Sequence, residues 1–303
     1  MATLLVTGGS GLLALNWARA AATNWQVNLV LNQRSVQLDG AETLYVDLGA
    51  AEDFGRALDR VRPDMVVHTA GLTDVERCEK EPAQAQLVNV TMAGIVARSC
   101  AQRGIKLAHI STDHLFGGDL TMASEEHVPQ PLNVYGSSKA AGEQAVLEAA
   151  PSALVVRTNF YGWGPRYRRS FSDRIVDALR AGESISLFDD VHFTPILGDT
   201  LIEAVHALTA TGASGIYNVT GDERISKYDF GLKIADIFGL DRGLIRPGRL
   251  ADRLELTRRP LDMSLSNRKA THRLGYMLGD VFTHLKRLAT LESHPLVKKV
   301  QNL

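Results

Sequence analysis

A chain of 303 residues, 45% of them hydrophobic, can bury a sizeable core, either in one domain or in a large domain with a smaller one. Its 33 Lys and Arg residues nearly balance its 34 Asp and Glu residues, so no overall positive field would draw it to nucleic acid or to an anionic membrane. The two cysteines have no metal-ligand spacing, and the first residues lead into glycines rather than a signal-peptide core, so a cytoplasmic protein is expected.

Short apolar runs alternate with longer helical patterns along the first half of the chain. The runs that predict strands are 3–7, 26–31, 43–46, 65–70, 106–111 and 153–158, and the clearest helical stretches are 82–103 and 136–149. Nearly continuous apolar strands separated by helices indicate a parallel sheet covered on both faces, the doubly wound (Rossmann) α/β arrangement. Because the alternation fades near residue 160, we expect a sheet domain over 1–160. Residues 161–303 are expected to form mainly a smaller C-terminal lobe, with some segments returning to the first domain.

The first predicted strand ends in the sequence TGGSG, with Gly8, Gly9 and Gly11 ahead of Ala14 in a helical stretch. This pattern matches G-x-G-x-x-G/A in the strand–turn–helix setting that binds dinucleotides. Glycines let a pyrophosphate approach the backbone, and the helix N-terminus offers free N–H groups. Glycines also make tight turns for structural reasons alone. In this context we predict that the sheet domain binds NAD(P).

The end of the second predicted strand bears on which dinucleotide is bound. An acidic residue there would bind the adenosine ribose and favour NAD, but residues 32–35 read NQRS and no carboxylate occurs before Asp39. Arg34 and its neutral polar neighbours suit the 2′-phosphate of NADP, so NADPH is expected, with NADH as the alternative. A solvated loop arginine is the purely structural explanation. Asp47 and Leu48, after the third strand, could flank the adenine, and Asp47 could instead cap the next helix.

Tyr135 and Lys139 lie four residues apart in PLNVYGSSKAAGEQAV (131–146), which places them on one face of a helix. Alone, that spacing suits an ordinary surface pair. Beside a dinucleotide it suits catalysis, because a fixed ammonium lowers the pKa of a phenol and can also donate to the nicotinamide ribose. Either Ser111 or Thr112, after the fifth strand, could bind a substrate carbonyl while the tyrosine protonates it, since adjacent strand residues face opposite ways.

These motifs together resemble a known family. TGGSG, STD and YGSSK, in this order, are similar to the extended short-chain dehydrogenase/reductases. Longer stretches resemble the dTDP-4-dehydrorhamnose reductase family, namely 63–90, ISTDHLF at 110–116, 131–146, SKYDF at 226–230 and RRPLDMSLSNRK at 258–269. That family reduces the C4 ketone of a nucleotide-linked 6-deoxy sugar with NADPH or NADH. The resemblance therefore implies an NADP-dependent oxidoreductase of deoxysugar biosynthesis, with a homodimer left open and no metal site carried over.

The resemblance also implies site residues. Thr112, Tyr135 and Lys139 take the catalytic roles. The cofactor-binding set, which shares Tyr135 and Lys139, adds Gly8, Gly9, Ser10, Gly11, Leu12, Leu13, Asn32, Arg34, Asp47, Leu48, Ala70 and Gly71. The substrate-binding set is Thr73, His114, Phe160 and Arg259. Arg259 is preferred as a diphosphate ligand to the arginines at 166–169, because it lies in a family-like block.

The chain departs from the family around the expected sugar position. His114 stands where an aromatic residue usually follows STD, and we expect it to be a pocket residue rather than a catalyst. Phe160 replaces a common tryptophan, and His68 and Thr69 replace a common Asn-Ala pair. The related 4,6-dehydratases carry Asp-Glu after the threonine, so His114 leaves the elimination of water without its base.

Two other functions stay open. Residues 224–247 resemble, about equally well, the NADP-binding regulatory β subunit of methionine adenosyltransferase, which acts as a protein partner. An epimerase or reductase acting on another nucleotide sugar is the second alternative.

Overall fold

The computed structural model describes all 303 residues. Its strands are β1 (Ala2–Thr7), β2 (Trp25–Leu31), β3 (Ala41–Tyr45), β4 (Met65–His68), β5 (Lys106–Ile110), β6 (Leu154–Arg157), β7 (Phe160–Tyr161), β8 (Ile185–Phe188), β9 (His192–Phe193), β10 (Ile196–Leu197), β11 (Gly215–Asn218), β12 (Ile225–Ser226) and β13 (Ile245–Gly248). Its α-helices are α1 (Leu12–Ala21), α2 (Ala51–Val61), α3 (Val75–Lys80), α4 (Pro82–Gln86), α5 (Met92–Ala101), α6 (Val134–Ala149), α7 (Phe171–Arg180), α8 (Gly198–Ala210), α9 (Lys227–Phe238), α10 (Arg268–Leu274), α11 (Val281–Leu291) and α12 (Pro295–Asn302).

Seven parallel strands form the central sheet in the order β11-β6-β5-β4-β1-β2-β3. Strands β2 and β3 follow on one side of β1, and β4, β5 and β6 follow on its other side. The strand order therefore reverses between β1 and β4. Open α/β sheets bind ligands outside the carboxyl ends of the strands at such a reversal. The prediction of a doubly wound sheet is confirmed.

Alternating residues of the central strands fill two separate cores. Leu4 and Val6 pack among side chains of α1 and α8 on one face. Leu5 and Val66 pack on the other face, among side chains of α2, α5 and α6. Burial on both faces explains why the strands read as unbroken apolar runs.

Residues after 160 contribute to both parts of the molecule. Trp163, Phe230 and Leu285 lie in a third core, which belongs to the smaller lobe. In contrast, β11 extends the central sheet beside β6, and α8 packs on α1. Arg19 on α1 donates to both carboxylate oxygens of Asp199 on α8 at 2.6 Å, and this ion pair is buried. The assignment of nucleotide binding to 1–160 and of substrate binding mainly to 161–303 stays a prediction.

The predicted helix 82–103 is present as three pieces, because a π-helical segment, Leu87–Thr91, separates α4 from α5. Within this segment the Asn89 side chain bonds to both the N–H and the carbonyl of Leu72, and to the Ser138 hydroxyl. The segment thus fixes the loop after β4. Separately, none of the helices has the length and apolar character needed to cross a bilayer.

Candidate active site

A cavity of about 1070 Å³ opens at the carboxyl ends of the central strands, where the strand order reverses. It is closed on the other side by residues 158–174, which begin the second lobe. Every residue of the predicted catalytic and cofactor-binding sets lines this cavity, as do Thr73, His114 and Phe160. Of the predicted site residues, Arg259 alone lies outside the lining. The roles of these residues stay predictions.

The glycine loop forms one end of the cavity. Gly8 has a φ of +68°, and a Cβ there would lie 2.9 Å from the Cα of Ala70, so both its conformation and its surroundings require glycine. Gly11 is the N-cap of α1 and makes no side-chain capping bond, which leaves the first N–H groups of the helix without a protein acceptor. An uncapped helix N-terminus beside an open cavity fits a dinucleotide pyrophosphate.

The ends of β2 and β3 form the neighbouring wall. Arg34 is exposed, and its guanidinium carbon lies 4.0 Å from the ring centroid of Tyr167, a residue after β7 that packs against the core of α1 and α8. Asp47 Oδ1 accepts a hydrogen bond of 2.8 Å from the Gly49 backbone N–H, whereas the N-cap of α2 is Ala50. Asp47 therefore caps a turn before the helix and not the helix itself.

Helix α6 holds Tyr135 in its first turn. Asn133 caps the helix by accepting from the Gly136 N–H at 2.8 Å, and its amide donates to the Arg258 carbonyl at 2.9 Å. A Cβ at Gly136 would lie 2.3 Å from the His114 carbonyl oxygen, so this glycine lets the helix start directly against the loop after β5. The result is that the Tyr135 ring meets the His114 ring edge-on, with centroids 5.5 Å apart.

Burial dominates the electrostatics of Tyr135. The side chain is buried, and burial raises the pKa of the phenol well above its usual value, although a hydrogen bond with Thr112 acts in the opposite direction. The expectation that the pKa of Tyr135 is lowered is therefore wrong. The physical reason is that the free energy needed to remove a phenolate from water exceeds the free energy gained from the neighbouring groups. A phenol with a raised pKa is protonated at neutral pH and can act as an acid.

Lys139 lies beneath the strand ends. Its ammonium donates to the Ile110 carbonyl at 2.8 Å, and burial lowers the pKa of Lys139 to about 8, with Glu143 opposing the shift. The Glu143 carboxylate accepts from Ser111 at 2.5 Å and from the buried Arg157 guanidinium at 2.7 Å. Ser111 is thus engaged in this buried network, whereas the Thr112 hydroxyl donates to Asp113 at 3.3 Å, lines the cavity and acts to lower the pKa of Tyr135.

Thr73, Phe160 and His114 line the part of the cavity nearest the second lobe, and Arg168 donates to the Thr73 hydroxyl. Arg259 instead forms an ion pair with Glu76, 2.5 Å from Nη2 to Oε1. The preference for Arg259 over the cluster at 166–169 is not supported by position, because the residues of that cluster line the cavity. The positive charge of Arg259 nevertheless acts on the site, because it adds to the effect of burial in lowering the pKa of His114.

Several residues of the site were missed by sequence reasoning. Asn89 fixes the loop after β4 from within a helix. Lys227 is inserted between aromatic rings, 3.3 Å from the Phe193 centroid, and burial lowers its pKa to about 8. Tyr167 covers the glycine loop. The only signal for Tyr167 was its position among the clustered arginines, and these were ranked below Arg259 as ligands of a diphosphate.

Comparison with known proteins agrees with the dinucleotide-type cavity described above. The family model described as the RmlD substrate binding domain matches residues 1–292. A probable low-salt glycan biosynthesis reductase, Agl14, from Haloferax volcanii is 35% identical over 68% of this chain and 70% of its own length. The dTDP-4-dehydrorhamnose reductase of Mycobacterium tuberculosis is 33% identical over 80% of this chain and 78% of its own. The crystal structure of a dTDP-4-dehydrorhamnose reductase from Bacillus anthracis in complex with NADP has the same fold, with a TM-score of 0.83 at 24% identity, covering 96% of this chain and 99% of that one.

Proposed function

We propose that this chain, which belongs to the RmlD substrate binding domain family of extended short-chain dehydrogenase/reductases, reduces the C4 ketone of a nucleoside-diphospho-4-keto-6-deoxyhexose with NADPH. The observation that carries the proposal is that Thr112, Tyr135 and Lys139 line one cavity together with an uncapped glycine-loop helix and Arg34. Similarity to reductases named for dTDP-linked keto sugars supports this substrate class.

The cofactor is assigned to the end of the cavity where Arg34 and the backbone N–H groups at the start of α1 lie. The first N–H groups of α1, at Leu12 and Leu13, are available to a pyrophosphate, whereas those of Gly9 and Gly11 bond to backbone carbonyls. Arg34 supplies the positive charge for a 2′-phosphate. When bound, NADPH supplies the hydride. In this proposal residues 1–160 bind the cofactor and 161–303 mainly bind the sugar nucleotide. A cytoplasmic location suits both ligands and the two free, buried cysteines.

Tyr135 is the proton donor. Its raised pKa keeps the phenol protonated at neutral pH, so Oη transfers its proton to the C4 ketone oxygen as that oxygen becomes an alkoxide. The Thr112 hydroxyl holds the same oxygen by a hydrogen bond. Lys139 stabilises the phenolate that remains and donates to the nicotinamide ribose. The ketone becomes a secondary alcohol, and Tyr135 regains a proton from solvent.

The residues after Thr112 favour reduction over elimination of water. Asp113 accepts a hydrogen bond from the Asn159 amide, and the buried His114 ring has a lowered pKa, so it is uncharged at neutral pH. Neither group stands as a free carboxylate base in the position that a dehydratase uses.

The test is to mix purified protein and NADPH with a panel of nucleotide-linked 4-keto-6-deoxy sugars and to follow the absorbance of the reduced nicotinamide. Loss of absorbance with at least one sugar, abolished in the matched variant Tyr135→Phe, is the expected result. If NADPH binds but no sugar is reduced, the reductase proposal is wrong and a regulatory subunit takes its place. Light scattering on the same sample decides whether the protein is a homodimer.

A further inference from the structure

We propose that Tyr167, which follows β7 and packs against the core beside α1, positions Arg34 for recognition of the 2′-phosphate, so that the choice of NADPH over NADH depends on a residue far along the chain from the glycine loop. The inference rests on the proposed function, because it assumes that the cavity binds a dinucleotide. It assigns Tyr167 the role of a positioning residue for the cofactor.

The contact between the two residues is direct. The guanidinium carbon of Arg34 lies over the Tyr167 ring at 4.0 Å from the centroid. The Tyr167 hydroxyl donates to the Ser10 carbonyl in the glycine loop at 2.9 Å. Tyr167 therefore touches both the loop expected to hold the pyrophosphate and the arginine expected to hold the 2′-phosphate. All three residues line the same cavity.

The stacking geometry matters because of how a guanidinium donates. Its five N–H groups point outwards in the plane of the group, and none points along the normal to that plane. A ring that covers the guanidinium face therefore orders Arg34 without using any of its donors. A carboxylate partner would do the opposite, since it would use two donors and cancel the charge. An exposed arginine without the ring would have to lose more side-chain freedom when it binds a phosphate.

The segment that carries Tyr167 is held at both ends. Arg166 Nη2 donates to the Asn302 side chain at 3.2 Å, and Arg168 donates to the Thr73 hydroxyl. The Arg168 N–H also donates to the Pro165 carbonyl at 2.9 Å, which closes a tight turn around Tyr167. Tyr167 is therefore held by its own hydroxyl bond to Ser10 and by the turn at 165–168 as well as by Arg34. Because the ring contacts Arg34 and the hydroxyl contacts Ser10, the two contacts can be removed separately.

The experiment is a titration of NADPH and of NADH, followed by protein fluorescence, for wild type, Tyr167→Phe, Tyr167→Leu, Arg34→Ala and the double variant. Tyr167→Phe keeps the ring and loses only the bond to Ser10, so it should leave the ratio of the two dissociation constants within about twofold of wild type. Tyr167→Leu should reduce the preference for NADPH by about two- to fivefold, the size of an exposed cation–π contact. Arg34→Ala should reduce it by about tenfold or more. In the Arg34→Ala background, Tyr167→Leu should cause no further change in the ratio.

The NADH affinity serves as an internal control for folding. If Tyr167→Leu weakens both dinucleotides equally, or leaves the ratio unchanged, the proposal is overturned while the proposed function stands. The same holds if Tyr167→Leu changes the ratio in the double variant as much as in the single one. If wild type binds neither dinucleotide, the proposed function fails and the inference fails with it.

Discussion

The loss of activity at alkaline pH should reflect Lys139 and not Tyr135. Burial lowers the pKa of the Lys139 ammonium to about 8, whereas it raises the pKa of the Tyr135 phenol far above the working range. As pH rises, the lysine therefore loses its charge first. The uncharged amine can no longer stabilise a phenolate, so proton transfer from Tyr135 becomes less favourable while the phenol itself is still protonated.

The size of the effect follows from the titration of one group. With a pKa of about 8, the charged fraction of Lys139 falls from about nine-tenths at pH 7 to about one-tenth at pH 9, so activity should fall by about tenfold. The quantity to compare is kcat/KM, which reports the ionisation of the free enzyme. Initial rates across pH 6 to 10, with a reducible nucleotide sugar and NADPH, measure it.

Two variants identify the titrating group. Lys139→Arg keeps a positive charge at every pH in this range, so its rate should be lower but should show no alkaline fall near pH 8. Lys227 is the rival group, because burial also lowers its pKa to about 8. Lys227→Arg should therefore leave the fall in place. An unchanged alkaline fall in Lys139→Arg, or constant kcat/KM up to pH 10 in wild type, would refute the reasoning.

Three further changes test other parts of the structure. Tyr135→Phe should lower turnover by about 10²–10⁴-fold, because the proton donor is lost, and should leave the NADPH dissociation constant measured by fluorescence within about twofold; retained turnover would contradict the assigned role. Thr112→Ala should lower kcat less than Tyr135→Phe, since Tyr135 still polarises the carbonyl, and a larger loss would mean that the threonine is the principal donor. Asp199→Ala leaves Arg19 buried without its partner and should cost about 3–5 kcal/mol, or about 5–8 °C in Tm by calorimetry; a shift below about 1 °C would show that water reaches the guanidinium.

Local patterns predicted the sheet, and they placed the proposed catalytic residues on elements that end at one cavity. The strands were visible because burial on both faces makes each one apolar throughout, and the glycine turn because its residue types follow from backbone conformation. Tyr135 and Lys139 could be paired because four residues in a helix bring side chains to one face. The hydroxyl could be narrowed to Ser111 or Thr112 because strands of a parallel sheet end at the same edge, and the family resemblance implied Thr112.

Those local patterns could not predict contacts between distant parts of the chain. Nothing in the sequence near Arg34 indicates Tyr167, since the stacking depends on how the segment after β7 folds back against the glycine loop. The direction of the Tyr135 pKa shift was wrong for a related reason: spacing along a helix identifies the nearest charge but not the degree of burial. The π-helical segment around Asn89 was also missed, because hydrogen bonds to Leu72 outside the helix help to stabilise it.

The residue after Asp113, His114, shows that burial decides the charge of a substituted residue. A histidine at the place of a dehydratase base looks, from sequence, like one titratable group exchanged for another. In the structure, burial and the nearby positive charges of Lys227 and Arg259 lower the pKa of His114, with only Asp113 acting against them. His114 therefore presents an uncharged ring to the cavity, and its Nδ1 has no protein hydrogen-bond partner. A weakly basic ring in the place of a carboxylate is a poor base for removing a proton from carbon, so the substitution acts against elimination and leaves proton donation by Tyr135 as the chemistry that the site supports.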